Sequence, residues 1–166
     1  MSEKTVLITG AAGLIGSILT KPLKKDYKLI LLDRRAATQK DNWIRVDISE
    51  YSEIKRVFEK ESIHVVIHLA GVLSKDGTWD NVLRNNIIGT RNVFELAREY
   101  KIERVIYTSS NRVIAGWEND TSFQKPITEE APPNPLNLYG VSKLASEGLA
   151  RVYWRDYHLP IICLRL

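Results

Sequence analysis

The sequence contains one cysteine, Cys163, and no uninterrupted apolar run long enough to cross a membrane. A single cysteine excludes a disulfide framework within the chain and fits a reducing compartment, and in an apolar run it is expected to fill core space. The first apolar stretch is short and follows Ser2, Glu3 and Lys4, unlike a secretory signal peptide. These absences predict a cytoplasmic protein that makes no contact with membranes.

Histidine is also scarce, and the three histidines do not stand at spacings typical of metal ligands, so no metal site is predicted. The net charge is +4, but the 24 basic residues are dispersed among 20 acidic ones instead of forming a stripe with aromatic residues. This distribution is typical of a solvated surface and suits an anionic cofactor or substrate. No nucleic-acid partner is expected.

Short apolar runs alternate with longer amphipathic stretches along the chain, a pattern typical of βαβ units. The runs are continuously hydrophobic, as expected of a parallel sheet covered on both faces. Strands are predicted near 4–9, 28–33, 43–46, 64–70, 104–109 and 160–165, and helices near 14–25, 50–60, 79–100 and 139–157. We predict one α/β domain over residues 1–166, a doubly wound parallel sheet of the Rossmann type.

One long irregular segment, residues 116–137, is predicted between the fifth strand and the last helix. It contains Pro126, Pro132, Pro133 and Pro135. Loops of this length are often covers of active sites, and we expect this one to face the substrate. Because the last predicted strand has no following helix to cover it, we also expect a substrate-binding part that this sequence does not contain.

Three spaced glycines, Gly10, Gly13 and Gly16, follow the first predicted strand and open the first predicted helix, together with Leu14 and Ile15. Without side chains at the turn, backbone N–H groups at the helix N-terminus can approach a pyrophosphate, and the helix dipole favours the anion. Strand, turn and helix arrive in the order that a dinucleotide site requires. The motif therefore predicts a dinucleotide-binding turn.

The second predicted strand ends in a carboxylate, Asp33. An acid at this place can accept hydrogen bonds from both hydroxyls of an adenosine ribose and would repel a 2′-phosphate. The following Arg34 and Arg35 favour the opposite choice, because an arginine can pair with a 2′-phosphate. We predict NAD as the cofactor, with NADP the less favoured alternative.

Further motifs follow in a fixed order: Thr9-Gly-Ala-Ala-Gly-Leu-Ile-Gly16, Asp47-Ile48, His68-Leu-Ala-Gly71, Asn86-Ile-Ile-Gly-Thr90, Thr108-Ser-Ser110 and Tyr139-Gly-Val-Ser-Lys143. In this order they resemble the extended short-chain dehydrogenase/reductases, and among these the NAD-dependent epimerase/dehydratase family. The resemblance covers essentially the whole chain. It implies an NAD-dependent enzyme that acts on a sugar or nucleotide-sugar substrate.

Tyr139 and Lys143 lie one turn apart at the start of a predicted helix, so their side chains share a face. A phenol with a pKa of about 10 is a poor base at neutral pH. A nearby ammonium, a helix N-terminus and an oxidised nicotinamide ring would each favour the phenolate. Tyr139 would then take a proton from a sugar hydroxyl while the carbon beneath gives hydride to the nicotinamide.

The resemblance implies further roles near this pair. Ser110 follows a strand end, where open α/β sheets place ligands, and it would orient the substrate oxygen between itself and Tyr139. Ser109 is the neighbouring alternative, and alignment on Val113 favours Ser110. Lys143 would also hydrogen-bond the nicotinamide ribose.

Two other motifs resemble cofactor contacts of the family. Asp47 and Ile48 resemble the pair that meets the adenine ring, although Asp47 suits a helix cap nearly as well. The stretch of Leu69, Ala70 and Gly71 resembles the loop beneath the cofactor.

The predicted helix 79–100 carries Asn86, which resembles an asparagine near the active site of the family and is expected among the cofactor-binding residues. Relatives often dimerise through the helices corresponding to 79–100 and 139–157. We therefore expect a homodimer through these two helices.

Three local features resemble uronate dehydrogenases: Ser109-Ser-Asn-Arg112, Asn86-Ile-Ile-Gly, and Tyr139-Gly-Val-Ser-Lys followed by Glu147-Gly-Leu-Ala-Arg-Val-Tyr. Those enzymes oxidise the anomeric carbon of a hexuronic acid to an aldarolactone with NAD. The resemblance implies substrate contacts for Ser74, Asn111 and Arg112. Arg112 stands where a histidine is expected, and it can pair with a sugar carboxylate or a nucleotide-sugar phosphate, or face solvent.

Two other functions stay open. A nucleotide-sugar epimerase of the UDP-glucose 4-epimerase type uses the same Ser, Tyr and Lys, but commonly carries Tyr-Gly where this sequence has Ile114-Ala-Gly. A non-catalytic NAD-binding module is the alternative of another class, and the intact catalytic residues argue against it. A dehydratase is not expected, because Asn111-Arg112 replaces its Asp-Glu pair.

Overall fold

The strands of the molecule are short apolar segments that contain many β-branched residues. A computed structural model describes residues 4–35, 42–73, 77–120, 126–128 and 130–166. Within these ranges the strands are β1 (Thr5–Thr9), β2 (Lys28–Asp33), β3 (Trp43–Arg45), β4 (Val65–His68), β5 (Arg104–Ser109) and β6 (Ile161–Arg165). They form one sheet in the order β3-β2-β1-β4-β5-β6, and every neighbouring pair is parallel.

Helices connect the strands and pack against the sheet. They are α1 (Leu14–Leu23), α2 (Tyr51–Lys60), α3 (Trp79–Val82), α4 (Gly89–Glu99) and α5 (Leu138–Tyr157). A π-helical segment, Leu83–Ile88, joins α3 to α4, and two 3₁₀ segments, Asn111–Val113 and Ala115–Asn119, follow β5. None of the helices in the described ranges is both long and apolar enough to cross a membrane.

The core is divided by the sheet into two clusters. On β1, Leu7 faces the larger cluster, whereas Val6 and Ile8 face the smaller one. The larger cluster packs under α2, α4 and α5 and includes the fully buried Phe94 and Tyr107. Because each buried side chain of this kind contributes about 1.5–3 kcal/mol, the larger cluster supplies most of the apolar stabilisation.

The predicted doubly wound parallel sheet is confirmed. β2 and β5 have the predicted bounds, and the other strands differ from their predicted ends by one or two residues. The strand order reverses between β1 and β4, so the chain has one switch point in the described sheet. In such sheets ligands bind at the switch point, outside the carboxyl ends of the strands.

The predicted continuous helix 79–100 is wrong in its middle, where the π-helical segment interrupts it. The side-chain Nδ2 of Asn85 donates to the carbonyl of Asn81 at 2.8 Å. In an α-helix that carbonyl would accept the backbone N–H of Asn85, so the side chain competes with the regular ladder. Wide turns of this kind are frequent at functional sites.

The predicted irregular segment 116–137 begins with regular structure, because Ala115–Asn119 forms a 3₁₀ segment. The C-terminal part of the segment is hydrogen-bonded to the residues that follow β5. The backbone N–H of Asn134 donates to the carbonyl of Val113 at 2.9 Å, and that of Leu136 donates to the carbonyl of Arg112 at 3.1 Å. The described ends of the segment therefore lie against the carboxyl end of the sheet.

Candidate active site

A groove of ≈ 510 Å³ runs along the carboxyl ends of β1, β2 and β4. Residues from several separate sequence motifs line it together, and all of them were predicted to contact a dinucleotide. They are Gly10, Gly13, Leu14, Ile15, Gly16, Asp33, Arg34, Asp47, Ile48, Leu69, Ala70 and Gly71. The groove lies at the switch point of the sheet, where a dinucleotide is expected.

The glycine turn has no space for larger residues. Gly10 has a φ of 68°, and a Cβ there would lie 2.7 Å from the backbone N of Ala70. A Cβ on Gly16 would lie 2.5 Å from the carbonyl oxygen of Ala11. Gly13, the N-cap of α1, offers no side-chain acceptor to the first-turn N–H groups, so these donors can serve an anion in the groove.

Asp33 presents an ionised carboxylate at the end of β2. Oδ2 accepts a hydrogen bond from the N–H of Ala12 at 3.1 Å, and Oδ1 accepts from the N–H and from Nε of Arg35, both at 3.0 Å. Burial alone would raise the pKa of Asp33, but these hydrogen bonds outweigh it and hold the pKa below its ordinary value. The predicted ribose acceptor is therefore charged and paired with Arg35.

Arg34 reaches across the groove from β2. Its Nη1 donates to Oδ1 of Asn85 in the π-helical segment at 3.1 Å. Asn85 also lines the groove and is almost fully buried. This contact ties the adenosine end of the groove to the interrupted helix.

Asp47 lines the groove, but its carboxylate already has local partners. Oδ1 accepts from the N–H of Ser49 at 2.9 Å and from the Ser49 hydroxyl at 2.7 Å. Burial acts to raise the pKa of Asp47, and the bonds from Ser49 outweigh it and lower the pKa. The N-cap of α2 is Glu50, so the alternative prediction that Asp47 caps this helix is wrong.

Asn86 is not among the residues that line the groove, and its predicted cofactor contact stays a prediction. Its Oδ1 accepts from the N–H of Val72 at 2.7 Å, and its Nδ2 donates to the Val72 carbonyl at 3.1 Å and to the Ser142 hydroxyl at 3.0 Å. The side chain is fully buried, with both amide groups used. Asn86 therefore holds the loop after β4 against α5.

The two serines after β5 have different partners. The Ser109 hydroxyl donates to Oε1 of Glu147 at 2.5 Å and is buried. The Ser110 hydroxyl donates to Oδ1 of Asn111 at 3.4 Å and accepts from the N–H of Arg112 at 3.3 Å. Ser110, unlike Ser109, also acts to lower the pKa of the predicted catalytic residue Tyr139.

Tyr139 and Lys143 share one face of α5, as predicted, and the Lys143 Nζ lies 5.5 Å from the centre of the Tyr139 ring. Lys143 is buried, and its Nζ donates to the backbone carbonyl of Thr108 at 2.6 Å. A Cβ on Gly71, which lines the groove, would lie 3.8 Å from this Nζ. The lysine therefore reaches the inner end of the groove.

The electrostatic effect on Tyr139 differs from the sequence-based expectation. Burial raises the pKa of Tyr139, and the nearby Ser110 side chain only partly offsets it. Burial also lowers the pKa of Lys143 to about 8. The expectation that the surrounding residues favour the phenolate is wrong for the described residues, because removing both groups from water costs more than their local contacts return.

His68 is a structural residue between the two halves of the sheet. Its Nδ1 lies 2.6 Å from the Thr9 hydroxyl and its Nε2 lies 3.0 Å from the Thr90 hydroxyl. Burial lowers the pKa of His68 to about 3, so the ring is neutral at physiological pH. In the sequence, His68 begins the motif His68-Leu-Ala-Gly71, which predicts the loop beneath the cofactor. In the structure, the contacts of the ring with Thr9 and Thr90 hold the residue from which this loop starts.

The predicted substrate residues flank the serine pair. Asn111 is exposed, and its N–H donates to the carbonyl of Leu166 at 3.0 Å. Arg112 is half-buried, and its guanidinium makes no hydrogen bond or ion pair within the ranges that the structure describes. Ser74 lies outside the described residues.

Sequence reasoning missed several residues of the site. Asn85 and Arg35 line the groove, and Glu147 with Arg165 supports the serine pair. Arg35 was weighed only as a phosphate ligand, and Asn85 had a signal in its repeated asparagine. Glu147 stood in a quoted motif, Glu147-Gly-Leu-Ala-Arg-Val-Tyr, but nothing in that motif indicated a contact with Ser109.

The residues fit a dinucleotide better than a metal. In the described part of the chain, no three His, Cys, Asp or Glu side chains gather as a metal site. The groove instead combines a bare glycine turn for phosphates with a carboxylate, Asp33, for a ribose. A Cβ at Gly10 would overlap the backbone of Leu69 and Ala70, so the turn requires glycine there.

Known proteins are similar to this chain in sequence and fold. The sequence profile described as "NAD dependent epimerase/dehydratase family" matches residues 6–166. The NAD-dependent glucose-6-phosphate dehydrogenase of Haloferax volcanii is 32% identical over 99% of this chain and 68% of its own length. The curated relatives that the chain matches are longer, and it spans between 42% and 68% of their length.

Two solved structures show the same likeness. The uronate dehydrogenase from Agrobacterium tumefaciens superposes with a TM-score of 0.82 at 27% identity, over 97% of this chain and 59% of that one. The Thermus thermophilus UDP-glucose 4-epimerase in complex with NAD superposes with a TM-score of 0.85 at 28% identity, over 97% of this chain and 54% of that one. By its sequence, its strand order and its groove, the chain belongs to the NAD-dependent epimerase/dehydratase family.

Proposed function

We propose that this chain binds NAD and carries the catalytic groups of an oxidoreductase that acts on a sugar hydroxyl, in the manner of a uronate dehydrogenase. One observation carries the proposal. The Nζ of Lys143 lies 5.5 Å from the centre of the Tyr139 ring and 3.8 Å from the position of a Cβ on Gly71, which lines the groove, and Ser110 follows the end of β5 nearby. A hydroxyl, a phenol and an ammonium at the end of a dinucleotide groove suit removal of hydride and proton from an alcohol.

In the proposed reaction, the three side chains divide the work. Ser110 would hold the substrate oxygen, and Tyr139 would accept its proton. Lys143 would keep a positive charge beside the phenol and hydrogen-bond the nicotinamide ribose. When bound, NAD supplies the hydride acceptor. The position of Lys143 supports this assignment, because its Nζ lies 5.5 Å from the centre of the Tyr139 ring.

The cofactor residues of the proposal are those that line the groove. The first-turn N–H groups of α1 would take the pyrophosphate, and Asp33 would take the adenosine ribose. Asp47 and Ile48 would border the adenine, with the loop from Leu69 to Gly71 beneath the nicotinamide half.

An acidic sugar is the proposed substrate class. Arg112 is half-buried beside the Ser110 contact and its guanidinium has no partner among the described residues. A sugar carboxylate would provide the bidentate partner that this group lacks. Asn111 lies on the same 3₁₀ segment and would add a neutral donor.

A nucleotide-sugar 4-epimerase is the second candidate. It is favoured by the TM-score of 0.85 to the UDP-glucose 4-epimerase, which is as high as the likeness to uronate dehydrogenase. The phosphates of a nucleotide sugar would then be the partner of Arg112. The replacement of the Asp-Glu pair by Asn111-Arg112 remains the argument against a dehydratase.

A homodimer is proposed through the helices α4 and α5. Val141 and Val152 on α5 are exposed, and Gly148 between them has no atom within 4 Å of its would-be Cβ. The exposed apolar stripe would be covered by the same stripe of a second copy, as in an isologous interface. Sedimentation equilibrium of wild type and Val152→Glu tests this, and a monomeric wild type would contradict it.

Incubation of the full-length enzyme with NAD and two substrate panels tests the main proposal. NADH formed with free hexuronic acids supports the dehydrogenase, and interconversion of nucleotide sugars without net NADH supports the epimerase. Saturable NAD binding with neither activity supports the non-catalytic module and would contradict the proposed reaction.

A further inference from the structure

Helix α5 carries a third polar side chain on the face of Tyr139 and Lys143. Glu147 follows them at the same interval of four residues, which places all three in one row along the helix. The proposed reaction does not use Glu147. Its side chain is nonetheless largely buried, with 16% of its surface exposed, and both of its oxygens are occupied.

The partners of Glu147 lie on two strands. Oε1 accepts from the Ser109 hydroxyl at 2.5 Å on β5 and from Nε of Arg165 at 2.8 Å on β6. Oε2 accepts from Nη2 of Arg165 at 2.7 Å, which completes a bidentate pair. Because Ser109 and Arg165 are register partners in the sheet, Glu147 clamps the ends of both strands to α5.

The row on α5 therefore grips consecutive residues at the end of β5. Lys143 holds the carbonyl of Thr108 at 2.6 Å, Glu147 holds the hydroxyl of Ser109, and the next residue is Ser110. The segment after Ser110 also packs against the first turn of α5, because a Cβ on Gly140 would overlap the carbonyl oxygen of Arg112. A shift of the strand end would therefore move Ser110 relative to Tyr139, the first member of the row.

We propose that Glu147 is a positioning residue, which fixes the end of β5 so that Ser110 keeps its place relative to Tyr139. This inference rests on the proposed function, because it assigns a task within the same site. Glu147 touches neither partner of the pair and acts through Ser109 and through Arg165. The other titratable group that faces it is Cys163 on β6.

Steady-state kinetics of Glu147→Ala in the full-length enzyme test the inference, with the sugar that gives turnover in wild type. We expect kcat to fall about 10²-fold, the effect of a misplacement of about 1 Å, while the KM for NAD stays at the wild-type value. The acidic limb of the kcat profile should move to higher pH, because the nearby Ser110 side chain is what lowers the pKa of Tyr139. Loss of stability alone would lower kcat by the same factor at every pH and would leave the acidic limb of the profile in place.

Two further variants complete the design. Glu147→Gln keeps one acceptor for Ser109 but loses the charge toward Arg165, so its loss of kcat should be smaller and in the same direction, and it serves if the alanine variant does not fold. Asp156→Asn makes the matched change of acid to amide at an exposed ion pair on the same helix and should behave as wild type. A folded Glu147 variant with wild-type kcat and an unmoved limb would overturn the inference.

Hydrogen exchange on this chain gives a readout that needs no turnover. The N–H groups of Asn111 and Arg112 bond the Leu166 carbonyl and the Ser110 hydroxyl. In Glu147→Ala they should exchange about tenfold faster, since charge-assisted bonds that hold this segment are lost. Unchanged exchange would overturn the inference, whereas absence of turnover in wild type with this change present would contradict only the proposed function.

Discussion

The two ends of the candidate site are built differently. The end predicted to take the adenosine, at β1 and β2, depends on backbone: at Gly10 and Gly16 the chain packs so closely that a Cβ would overlap the backbone of Ala70 or Ala11. The end predicted to be catalytic, between β5 and α5, is made of side chains that reach one another across the fold, such as Lys143 to Thr108 and Glu147 to Ser109. One end depends on close backbone packing and the other on hydrogen bonds between distant segments.

This difference separates binding from turnover. A change at the glycine turn acts on the shape of the groove and so on the affinity for a dinucleotide. A change at the phenol removes a proton acceptor and leaves the groove as it was. Substitutions at the two ends should therefore have separable effects on affinity and on turnover.

Tyr139→Phe should show the catalytic end acting alone. Removal of the hydroxyl takes away the proposed general base, whose contribution is typically about 10²–10⁴-fold in rate, so turnover should fall by that factor. NAD affinity by calorimetry should stay near the wild-type value, because Tyr139 is not among the residues that line the groove. Tyr157→Phe, an exposed position on the same helix, is the control and should keep full turnover. A Tyr139→Phe enzyme with wild-type turnover would remove this residue from the mechanism.

Gly10→Ala should damage the adenosine end and the fold around it. The residue has a φ of 68°, and its Cβ would overlap the backbone of Ala70, so the free energy of unfolding should fall by about 1–3 kcal/mol. NAD affinity should fall with it. Gly148→Ala is the matched control, since a Cβ there meets no atom within 4 Å, and it should stabilise the chain slightly. Equal chemical denaturation curves for the two variants would contradict this account of the turn.

Protonation of His68, which lies on β4 between the two ends, should make the free energy of unfolding depend on pH. Its pKa in the folded chain is lowered to about 3, whereas the unfolded chain takes up the proton near pH 6.5. Stability from this group is therefore complete above about pH 6.5 and declines as the pH falls, by about 2 kcal/mol at pH 5. Urea denaturation at several pH values measures the slope. His158→Asn, at an exposed helix end, should keep the slope and His68→Gln should lose it; the same slope in both would contradict the assignment.

Arg35→Ala should shift the relative affinity slightly toward NAD and away from NADP. Arg35 occupies the carboxylate that a ribose needs, but most of its side chain is exposed, and such ion pairs are worth about 0–1 kcal/mol. Its removal should raise NAD affinity by no more than about fivefold and lower NADP affinity. Arg155→Ala, which removes an arginine from an exposed ion pair on α5, is the control. A lower NAD affinity in Arg35→Ala would show that the arginine helps to bind NAD.

The adenosine end could be predicted from the sequence because its signals are local. The glycine turn and Asp33 stand next to the strands they follow, and β2 has the predicted bounds. The positions of Tyr139 and Lys143 on one helical face followed from their spacing alone. The family also follows from these motifs in order.

Other features depend on contacts that no local pattern records. The break in the helix 79–100 arises from one side chain, Asn85, which takes the carbonyl that its own backbone would use. The support of Ser109 by Glu147 joins residues 38 positions apart. The raised pKa of Tyr139 follows from burial, which depends on the packing of the whole site.

The central claim is that a dinucleotide occupies the groove beside Tyr139. Isothermal titration calorimetry of NAD into the folded wild-type chain tests it most directly, with NADP as the second ligand. The account predicts saturable binding of one NAD per chain, weakened in Gly10→Ala and preserved in Tyr139→Phe. Folded protein that gives no saturable heat with NAD or with NADP would contradict it.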